Sequence, residues 1–341
     1  MTPRELVNRT LEFENKQDRV PRQMWTLPWS EWHYGDMIQK IHRDYPDDIT
    51  GAPCVLQEPT IETGDPYRHG VSRDAWGCMV TNIHEGLIGE VRDPLVREDE
   101  WEDVESIHIP REWLTFDRER VNDFCSSTDR FVTCGCCPRP FEQLQFIRKT
   151  ENLYMDLVEI PENMQRFMEK MHSFYCELLE EWAKTEVDAL TFMDDWGSQR
   201  SLLIDPRMWR EYFKPMYRDY IDIAKRHGKK IFMHSDGYIL DILPDLADMG
   251  LDAVNSQIFC MGVENLRPLA GKITFWGEID RQHLLVEGTP EEIYQAVEQV
   301  RETLWRDGGC IAQCEFGPGA NPENVYAVFR SWNRDYDDRL S

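Results

Sequence analysis

The sequence predicts a closed (β/α)8 TIM barrel, with a doubly wound open sheet as the alternative. Three observations lead to this fold class. From residue 130 onward, short runs of large apolar residues alternate with segments whose apolar residues recur every three or four positions. Strands that alternate with helices in this way must be parallel and joined by right-handed crossovers. The strands end in polar residues, and a length of 341 residues is compatible with one barrel domain.

The N-terminal third of the sequence is the irregular part. A predicted amphipathic helix over 3–16 is followed by a first strand over 20–28. Residues 30–130 contain Asp-Pro and Gly-Asp turns and one hairpin-like segment near 74–81. Because no low-complexity linker separates this region from the rest, we interpret it as an elaboration of the first βα connection. Residues 1–341 are therefore predicted to form a single domain with an elaborated N-terminal region.

The remaining sequence alternates regularly between predicted strands and helices. The strands are predicted at 131–136, 189–196, 230–234, 252–256, 273–277 and 310–314. The helices are predicted at 117–129, 139–149, 161–185, 206–226, 238–249, 264–270 and 290–306, with a terminal helix from Pro322. Two helix starts carry capping signals, namely the Asp205-Pro206 pair and the sequence Thr289-Pro-Glu-Glu. This alternation is the pattern of a parallel barrel.

The charge of the chain limits its partners. Asp and Glu total 63 against 38 Lys and Arg, which gives a formal net charge of −25. Such an acidic surface repels nucleic-acid phosphates and anionic membranes, so neither is expected as a partner. The N-terminus lacks an apolar signal region and no apolar run is long enough to span a membrane, which predicts a cytoplasmic protein. Its ten cysteines should therefore be mostly reduced thiols.

The candidate site residues follow the predicted strands. In chain order, the strand ends carry Cys134 and Cys136, Asp194 and Asp195, His234 to Asp236, Asn255 to Gln257, Glu278 to Asp280, and Cys314 with Glu315. In a parallel barrel the carboxyl ends of all strands meet at one mouth, so these side chains should converge. Zinc accepts nitrogen, sulfur and oxygen ligands. We therefore predict a zinc site with His234, Asp236 and Cys314 as ligands.

Several of these residues also have a purely structural interpretation. His234 could be a core histidine with satisfied hydrogen bonds. Either Asp194 or Asp195 could cap a helix, which leaves the other for function. The sequence Cys134-Gly-Cys-Cys lacks the spacing of a CxxC motif and has no second pair, so we interpret it as buried, reactive thiols.

Four segments of the chain resemble the uroporphyrinogen decarboxylase superfamily. They are His234-Ser-Asp-Gly, the stretch from Ile242 to Asn255, Gly277-Glu-Ile-Asp280, and Cys314-Glu-Phe-Gly-Pro-Gly-Ala-Asn-Pro-Glu-Asn324. The resemblance covers about residues 130–330 well and is stronger to the cobalamin-dependent methyltransferase branch than to the decarboxylases. That branch carries a His-x-Cys pair after one barrel strand and a further Cys ahead of a Pro-x-Asn segment, which together bind zinc. His234 and Cys314 match this pattern, whereas Asp236 stands where the branch has Cys.

The N-terminal motif separates this chain from the decarboxylases. Those enzymes carry Arg-Gln-Ala-Gly-Arg, which binds the carboxylates of their substrate. This chain has Arg22-Gln23-Met-Trp-Thr there and lacks the second arginine. A net charge of −25 would also disfavour an octa-anionic porphyrinogen. Porphyrinogen decarboxylation is therefore the weaker interpretation.

The resemblance implies methyl transfer between a small methylated compound and the cobalt of a corrinoid that a partner protein carries. Aspartate at residue 236 makes the metal site less sulfur-rich, which weakens a coenzyme M-like thiol acceptor and favours an O-demethylase that acts on a methyl ether. Negative charge then develops on the leaving oxygen, and a metal ion or a proton donor must neutralise it. The candidate proton donors are Asp195, Glu278 and Glu315.

The candidate substrate contacts are Trp25, Trp196, Asn255 and Gln257. The two tryptophans follow predicted strands and could line an aromatic substrate at the mouth. Three other interpretations stay open at this point: transfer from methylcobamide to a thiol, a decarboxylase-like activity, and a non-catalytic small-molecule binder. A homodimer is also left open.

Overall fold

The computed structural model describes residues 1–16, 19–53 and 55–334. Its main feature is a nearly closed barrel of eight parallel strands with helices between them, which confirms the predicted (β/α)8 barrel. In chain order the strands are β1 (Arg22–Thr26), β2 (Ile49–Gly51), β3 (Gly70–Arg73), β4 (Met79–Asn82), β5 (Glu90–Asp93), β6 (Phe131–Thr133), β7 (Ala189–Met193), β8 (Lys230–Ser235), β9 (Ala253–Ser256), β10 (Thr274–Trp276) and β11 (Cys310–Phe316).

The barrel strands follow one another in the order β1-β11-β10-β9-β8-β7-β6-β2. All neighbouring pairs are parallel, as the register of β1 on β11 and of β7 on β8 illustrates. At the seam, the backbone N–H of Asp48, just before β2, donates to the carbonyl of Arg22 at 2.9 Å. This bond brings the two ends of the sheet together.

Helices cover the outside of the barrel. They are α1 (Pro3–Leu11), α2 (Pro28–Asp44), α3 (Arg118–Ser127), α4 (Pro140–Arg148), α5 (Thr150–Asp156), α6 (Glu162–Ala183), α7 (Pro206–Met208), α8 (Lys214–Arg226), α9 (Leu243–Met249), α10 (Leu284–Glu287), α11 (Pro290–Leu304) and α12 (Pro322–Trp332). Short 3₁₀ segments lie at Glu102–Ser106, Arg111–Leu114 and Val263–Leu269. Among the described residues, no helix combines the length and apolar character needed to cross a membrane.

The predicted helix over 206–226 is interrupted. A π-helical turn at Trp209–Phe213 separates α7 from α8. Pro215 stands in the first turn of α8 and has no backbone N–H to continue a regular helix. A side-chain cap still begins the segment as the sequence predicts, because the Asp205 carboxylate accepts from the backbone of Arg207 at 2.8 Å.

The structure of the N-terminal region differs from the prediction. Residues 30–44, expected to be irregular, lie in α2, and Ile49–Gly51 is the second barrel strand. The elaboration therefore follows β2 and not β1, and contains the antiparallel sheet β3-β4-β5. The sequence hides these two elements because α2 buries few apolar side chains and β2 is only three residues long. The elaboration packs on α6 through Trp76, whose ring lies 5.8 Å from that of Phe174.

Residues of each barrel strand alternate between the interior and the helical layer. The interior layer contains Ile49, Phe131, Ala189, Phe232, Ala253, Trp276 and Ile311. Val7 and Leu11 of α1 pack with these residues, so α1 covers the amino-terminal end of the barrel. The opposite, carboxyl-terminal end stays open and carries the polar residues.

Candidate active site

His234 occupies the interior face near the end of β8, where its hydrogen bonds fix its orientation. Its Nδ1 lies 2.6 Å from Oδ1 of Asn255 on the neighbouring strand β9. The Asn255 amide nitrogen donates to the carbonyl of Trp276, which leaves Oδ1 as the acceptor for His234. Nδ1 therefore carries a proton, and Nε2 is the nitrogen that faces the mouth.

Two aspartates meet His234 at the mouth. Nε2 lies 3.5 Å from Oδ1 of Asp195, which follows β7, and 3.8 Å from Oδ1 of Asp236, which follows β8. The three residues place their ligand atoms within 4.8 Å of one another. Oδ1 of Asp236 is buried and has no hydrogen-bond partner among the described residues. One nitrogen and two carboxylate oxygens in this arrangement form a donor set that a divalent cation accepts.

The protonation of His234 depends on these carboxylates. Burial by itself lowers the pKa of His234, but the hydrogen bond to Asp195 and the charges of Asp195 and Asp236 together raise it to about 9. Burial likewise opposes ionisation of Asp195, but His234 and the backbone N–H of Asp236 lower the pKa of this carboxyl below its usual range. At neutral pH, His234 is therefore an imidazolium that pairs with Asp195.

The structure separates the roles of the adjacent Asp194 and Asp195. Asp194 is fully buried and points away from the mouth. Its carboxylate accepts from the backbone N–H of Glu142 at 2.8 Å, in the first turn of α4, and from the hydroxyl of Tyr217 at 2.5 Å. Asp194 thus caps a helix, and Asp195 reaches the site.

Arg281 joins three carboxyl groups next to His234. Its guanidinium forms a close ion pair with Oδ2 of Asp236 and a second pair with Glu315 at 3.0 Å. Its Nε lies 3.4 Å from Oε2 of Glu278. With its amide oxygen turned towards the guanidinium, Gln257 accepts from Arg281 Nε and Nη2 at 3.1 and 2.6 Å. Arg281 therefore fixes the charges on one side of the mouth.

Glu278 is the protonated acid of this group. The residue is 2% exposed. Burial, together with the negative charges of Asp236 and Glu315, raises the pKa of Glu278 to about 8, although Arg281 acts in the opposite direction. Burial also raises the pKa of Glu315. At neutral pH, Glu278 can therefore donate a proton.

Cys314 lies on the other face of the barrel wall. On β11 the neighbouring Glu315 points inward to Arg281, and successive side chains of a strand point to opposite faces. Cys314 is fully buried and belongs to the cluster between the barrel and its helices, at the register position of Met24. In the described part of the chain, the close ligand group at the mouth contains Asp195 and not this thiol. Of the predicted ligands, the structure thus brings together His234 and Asp236 but not Cys314.

The predicted substrate contacts occupy different environments. The Trp25 ring is half-buried, 5.5 Å from the His234 ring and edge-on to Trp276 at 4.9 Å, so it lines the mouth. Trp196 is fully buried, stacks on Phe141 at 4.0 Å and donates from Nε1 to Tyr217 at 2.7 Å. Its ring therefore belongs to the core and not to the wall of the mouth.

Asn255 and Gln257 also lie in different environments. Asn255 is fully buried and positions His234. Gln257 lines a cleft next to Arg281, and the side chains around this cleft include Gln199, Gln257, Phe259, Cys260, Glu278 and Arg281. A substrate at the mouth can reach Gln257 but can contact Asn255 only through His234.

Most of the chain matches a known protein family. The sequence model of uroporphyrinogen decarboxylase (URO-D) matches residues 71–334. The chain belongs to the uroporphyrinogen decarboxylase family. Comparison of the sequence with curated proteins gives no significant match.

One solved structure shares the fold of this family member over the whole chain. A methyltransferase from Methanosarcina mazei has a TM-score of 0.71 and 14% sequence identity, with 99% of this chain and 100% of that chain covered. An endo-beta-1,4-xylanase from Gloeophyllum trabeum has a TM-score of 0.40 and 10% identity, with 64% of this chain and 81% of that chain covered. At 14% identity, the likeness to the methyltransferase shows a shared fold and nothing more. The likeness to the xylanase, at a TM-score of 0.40, is too weak to support a conclusion.

Arg281 is the main site residue of this uroporphyrinogen decarboxylase family member that the strand-end pattern does not predict. The signal for it is its position three residues after Glu278, in the segment that follows β10. Glu142, in the first turn of α4, is also missed. Burial raises the pKa of Glu142, with Asp195 as a nearby negative charge, and Glu142 pairs with Arg139 at 3.1 Å. Neither residue follows a predicted strand directly.

Proposed function

We propose that this member of the uroporphyrinogen decarboxylase family is a corrinoid-dependent methyltransferase. Its substrate would be a small methyl ether, and the methyl group would pass to the corrinoid of a partner protein. The observation that carries the proposal is the pairing of a metal-type donor set, Asp195, His234 and Asp236, with a buried, protonated Glu278 at one mouth. The fold that the whole chain shares with a methyltransferase is compatible with this reaction type.

The residues at the mouth fit a divalent cation, and zinc is the first candidate. Within the part of the chain that the structure describes, Oδ1 of Asp236 is buried without a hydrogen-bond partner, and it faces Nε2 of His234. Because Nδ1 of His234 donates to Asn255, Nε2 has a lone pair to offer once the imidazole is neutral. When bound, the cation would supply a Lewis acid for the ether oxygen. A donor set without sulfur suits an oxygen leaving group better than it suits activation of a thiol.

Glu278 would supply the proton that the reaction requires. As the methyl group leaves for the corrinoid, the ether oxygen keeps the electron pair of the broken C–O bond. A proton from Glu278 converts this oxygen into a hydroxyl group. Arg281, 3.4 Å from Oε2, then offsets the charge of the Glu278 carboxylate. Glu315 pairs with the same guanidinium and holds it in place.

Trp25 and Gln257 would position the substrate. The Trp25 ring forms a wall next to His234 and suits an aromatic or other flat methyl ether. Gln257 lies next to Arg281, where its amide can reach a polar group of the substrate. We assign neither role to Trp196, because its ring is fully buried against Phe141.

Decarboxylation of a porphyrinogen is less consistent with the structure. Arg22 is the arginine that would have to bind substrate carboxylates in that reaction. Its guanidinium instead donates to the carbonyl of Pro46 at 3.1 Å and to Asn333 at 3.2 Å, and the residue is 8% exposed. The Arg22 side chain therefore forms hydrogen bonds within the barrel wall and does not face the mouth.

The proposal can be tested by cobalt spectroscopy. The protein is mixed without oxygen with a reduced corrinoid protein and, separately, with methyl ethers, methylamines and methylated thiols. We expect the reduced-cobalt absorbance to disappear only with a methyl ether. Glu278→Gln should slow the reaction by about 100-fold or more, the usual size of a general-acid contribution. The exposed Glu287→Gln serves as the matched control. A response to methylamines or thiols alone, or to no compound, would refute the proposed substrate class.

A further inference from the structure

A second group of metal-type side chains lies outside the barrel, between α6 and α8. His172 and Cys176 are four residues apart on α6, so both side chains project from the same face of the helix. Asp219 of α8 lies opposite them. The three ligand atoms lie within 4.8 Å of one another, as they do in the mouth cluster.

The distances bring nitrogen, oxygen and sulfur together. His172 Nε2 lies 2.8 Å from Oδ2 of Asp219. The Sγ of Cys176 lies 3.7 Å from the same nitrogen. On the other side of the ring, His172 Nδ1 lies 3.4 Å from the hydroxyl of Tyr220. With Nδ1–H donating to Tyr220, Nε2 becomes the nitrogen that can bind a metal ion.

The surroundings leave room for an ion and for solvent. Ser173, Cys176, Glu177, Glu180, Asp219 and Arg226 line a surface cleft beside the cluster. Glu177 is paired with Arg111, and Glu180 is paired with Arg226, so we do not count these two acids as ligands. The open side of the cleft gives a water molecule access to a fourth coordination position.

We propose that His172, Cys176 and Asp219 bind a borderline-soft divalent metal ion, zinc in the first place, which links α6 to α8. Zinc binds imidazole nitrogen, thiolate sulfur and carboxylate oxygen at about 2.0 to 2.3 Å in a tetrahedron. His172 and Asp219 would separate by about half an ångström to admit it. Cys176 loses its thiol proton to solvent as the metal–sulfur bond forms, so one proton is released per ion bound. This site is independent of the proposed methyl transfer.

Cobalt(II) distinguishes this site from the barrel mouth. A thiolate bound to cobalt(II) gives a charge-transfer band in the near ultraviolet, and the mouth ligands Asp195, His234 and Asp236 include no thiol. We expect the full-length protein, titrated without oxygen in a phosphine reductant, to show this band with one thiolate-bound cobalt per chain. Cys176→Ser should abolish the band. Asp195→Asn, which alters the mouth, should leave it unchanged.

Two further variants keep the test decisive. Asp219 is exposed, so Asp219→Asn should fold normally and weaken cobalt binding by at least about tenfold, as even loss of an outer partner of a metal ligand does. Cys137→Ser is the matched control, because Cys137 is an exposed thiol next to two other cysteines. It should keep the band.

Three results would overturn the proposal. The first is a wild-type titration without a thiolate band. The second is a band that persists in Cys176→Ser. The third is a band that disappears in Cys137→Ser, which would assign it to the thiols at 134–137. Absence of methyl transfer in the wild type with the band intact would leave this proposal standing, so the two proposals fail separately.

Discussion

Replacing Glu278 by Gln removes a carboxyl group that the fold holds in its protonated form. Glu278 is 2% exposed, and burial with the charges of Asp236 and Glu315 raises its pKa from 4.5 to about 8. In the unfolded chain this carboxyl ionises near 4.5, so the folded protein binds one more proton than the unfolded protein between these pH values. The free energy of unfolding of the wild type must therefore fall as the pH rises through this range.

The size of this effect follows from the pKa difference. At about 1.36 kcal/mol per pKa unit, a pKa of about 8 against 4.5 corresponds to about 5 kcal/mol in total, of which about 4 kcal/mol appears between pH ~5 and pH ~9. Gln does not titrate, so the free energy of unfolding of Glu278→Gln should not fall in this way. Relative to that of the wild type, it should rise by about 4 kcal/mol over that interval.

Urea unfolding of the metal-free proteins, followed by tryptophan fluorescence, measures this difference. The comparison of Glu278→Gln with wild type at each pH cancels the contribution of the titrating groups that do not interact with Glu278. Glu287→Gln, an exposed glutamate, should run parallel to the wild type. If Glu278→Gln also runs parallel to the wild type from pH ~5 to pH ~9, then Glu278 ionises normally and cannot be the proton donor.

Four other substitutions test the assignments at the mouth. Asn255→Leu removes the acceptor of His234 Nδ1 and should weaken zinc binding by about 10- to 100-fold, as measured by calorimetry; unchanged affinity would contradict its positioning role. Cys314→Ala should leave the metal content unchanged, because this thiol faces the helices, and a loss of metal would restore it as a ligand. Trp196→Ala should cost about 3 to 5 kcal/mol of stability, whereas Trp25→Ala should mainly raise KM; the reverse pattern in unfolding and kinetic assays would exchange their roles.

The sequence predicts the barrel well because the later strands are buried on both sides. Their apolar runs are short and uninterrupted, and β8 is an example in which Ile231, Phe232 and Met233 are all buried. The elements at 28–51 escape the prediction for the opposite reason. α2 exposes much of its surface, and β2 has only three residues to display a pattern.

The site is predictable only as a set of strand ends, because side-chain direction depends on the phase of each strand. Along β11, either Cys314 or Glu315 can face the interior, but not both. The contact of Glu315 with Arg281 fixes this phase, and the thiol is then directed to the helices. The same rule separates Asp194 from Asp195. A pattern of apolar residues cannot decide it, because both neighbours of the pair are also buried or half-buried.

Arg281 depends on loop geometry that no strand pattern contains. It lies five residues beyond β10, and its side chain returns to the mouth to meet Asp236. The charges of Asp236 and Glu315 hold it there. The strand ends therefore predict the acidic residues at the mouth but not the Arg281 guanidinium that pairs with them.

Formation of the demethylated product tests the central claim most directly. The zinc-loaded protein is mixed without oxygen with a methyl ether and an equimolar amount of reduced corrinoid protein, and the released alcohol or phenol is measured by mass spectrometry. We predict about one product per corrinoid for the wild type and none for His234→Ala, with the methyl group recovered on the corrinoid protein. Product formation that is unaffected in His234→Ala, or its absence in the wild type with every methyl ether, would contradict a methyl-transfer site built on Asp195, His234 and Asp236.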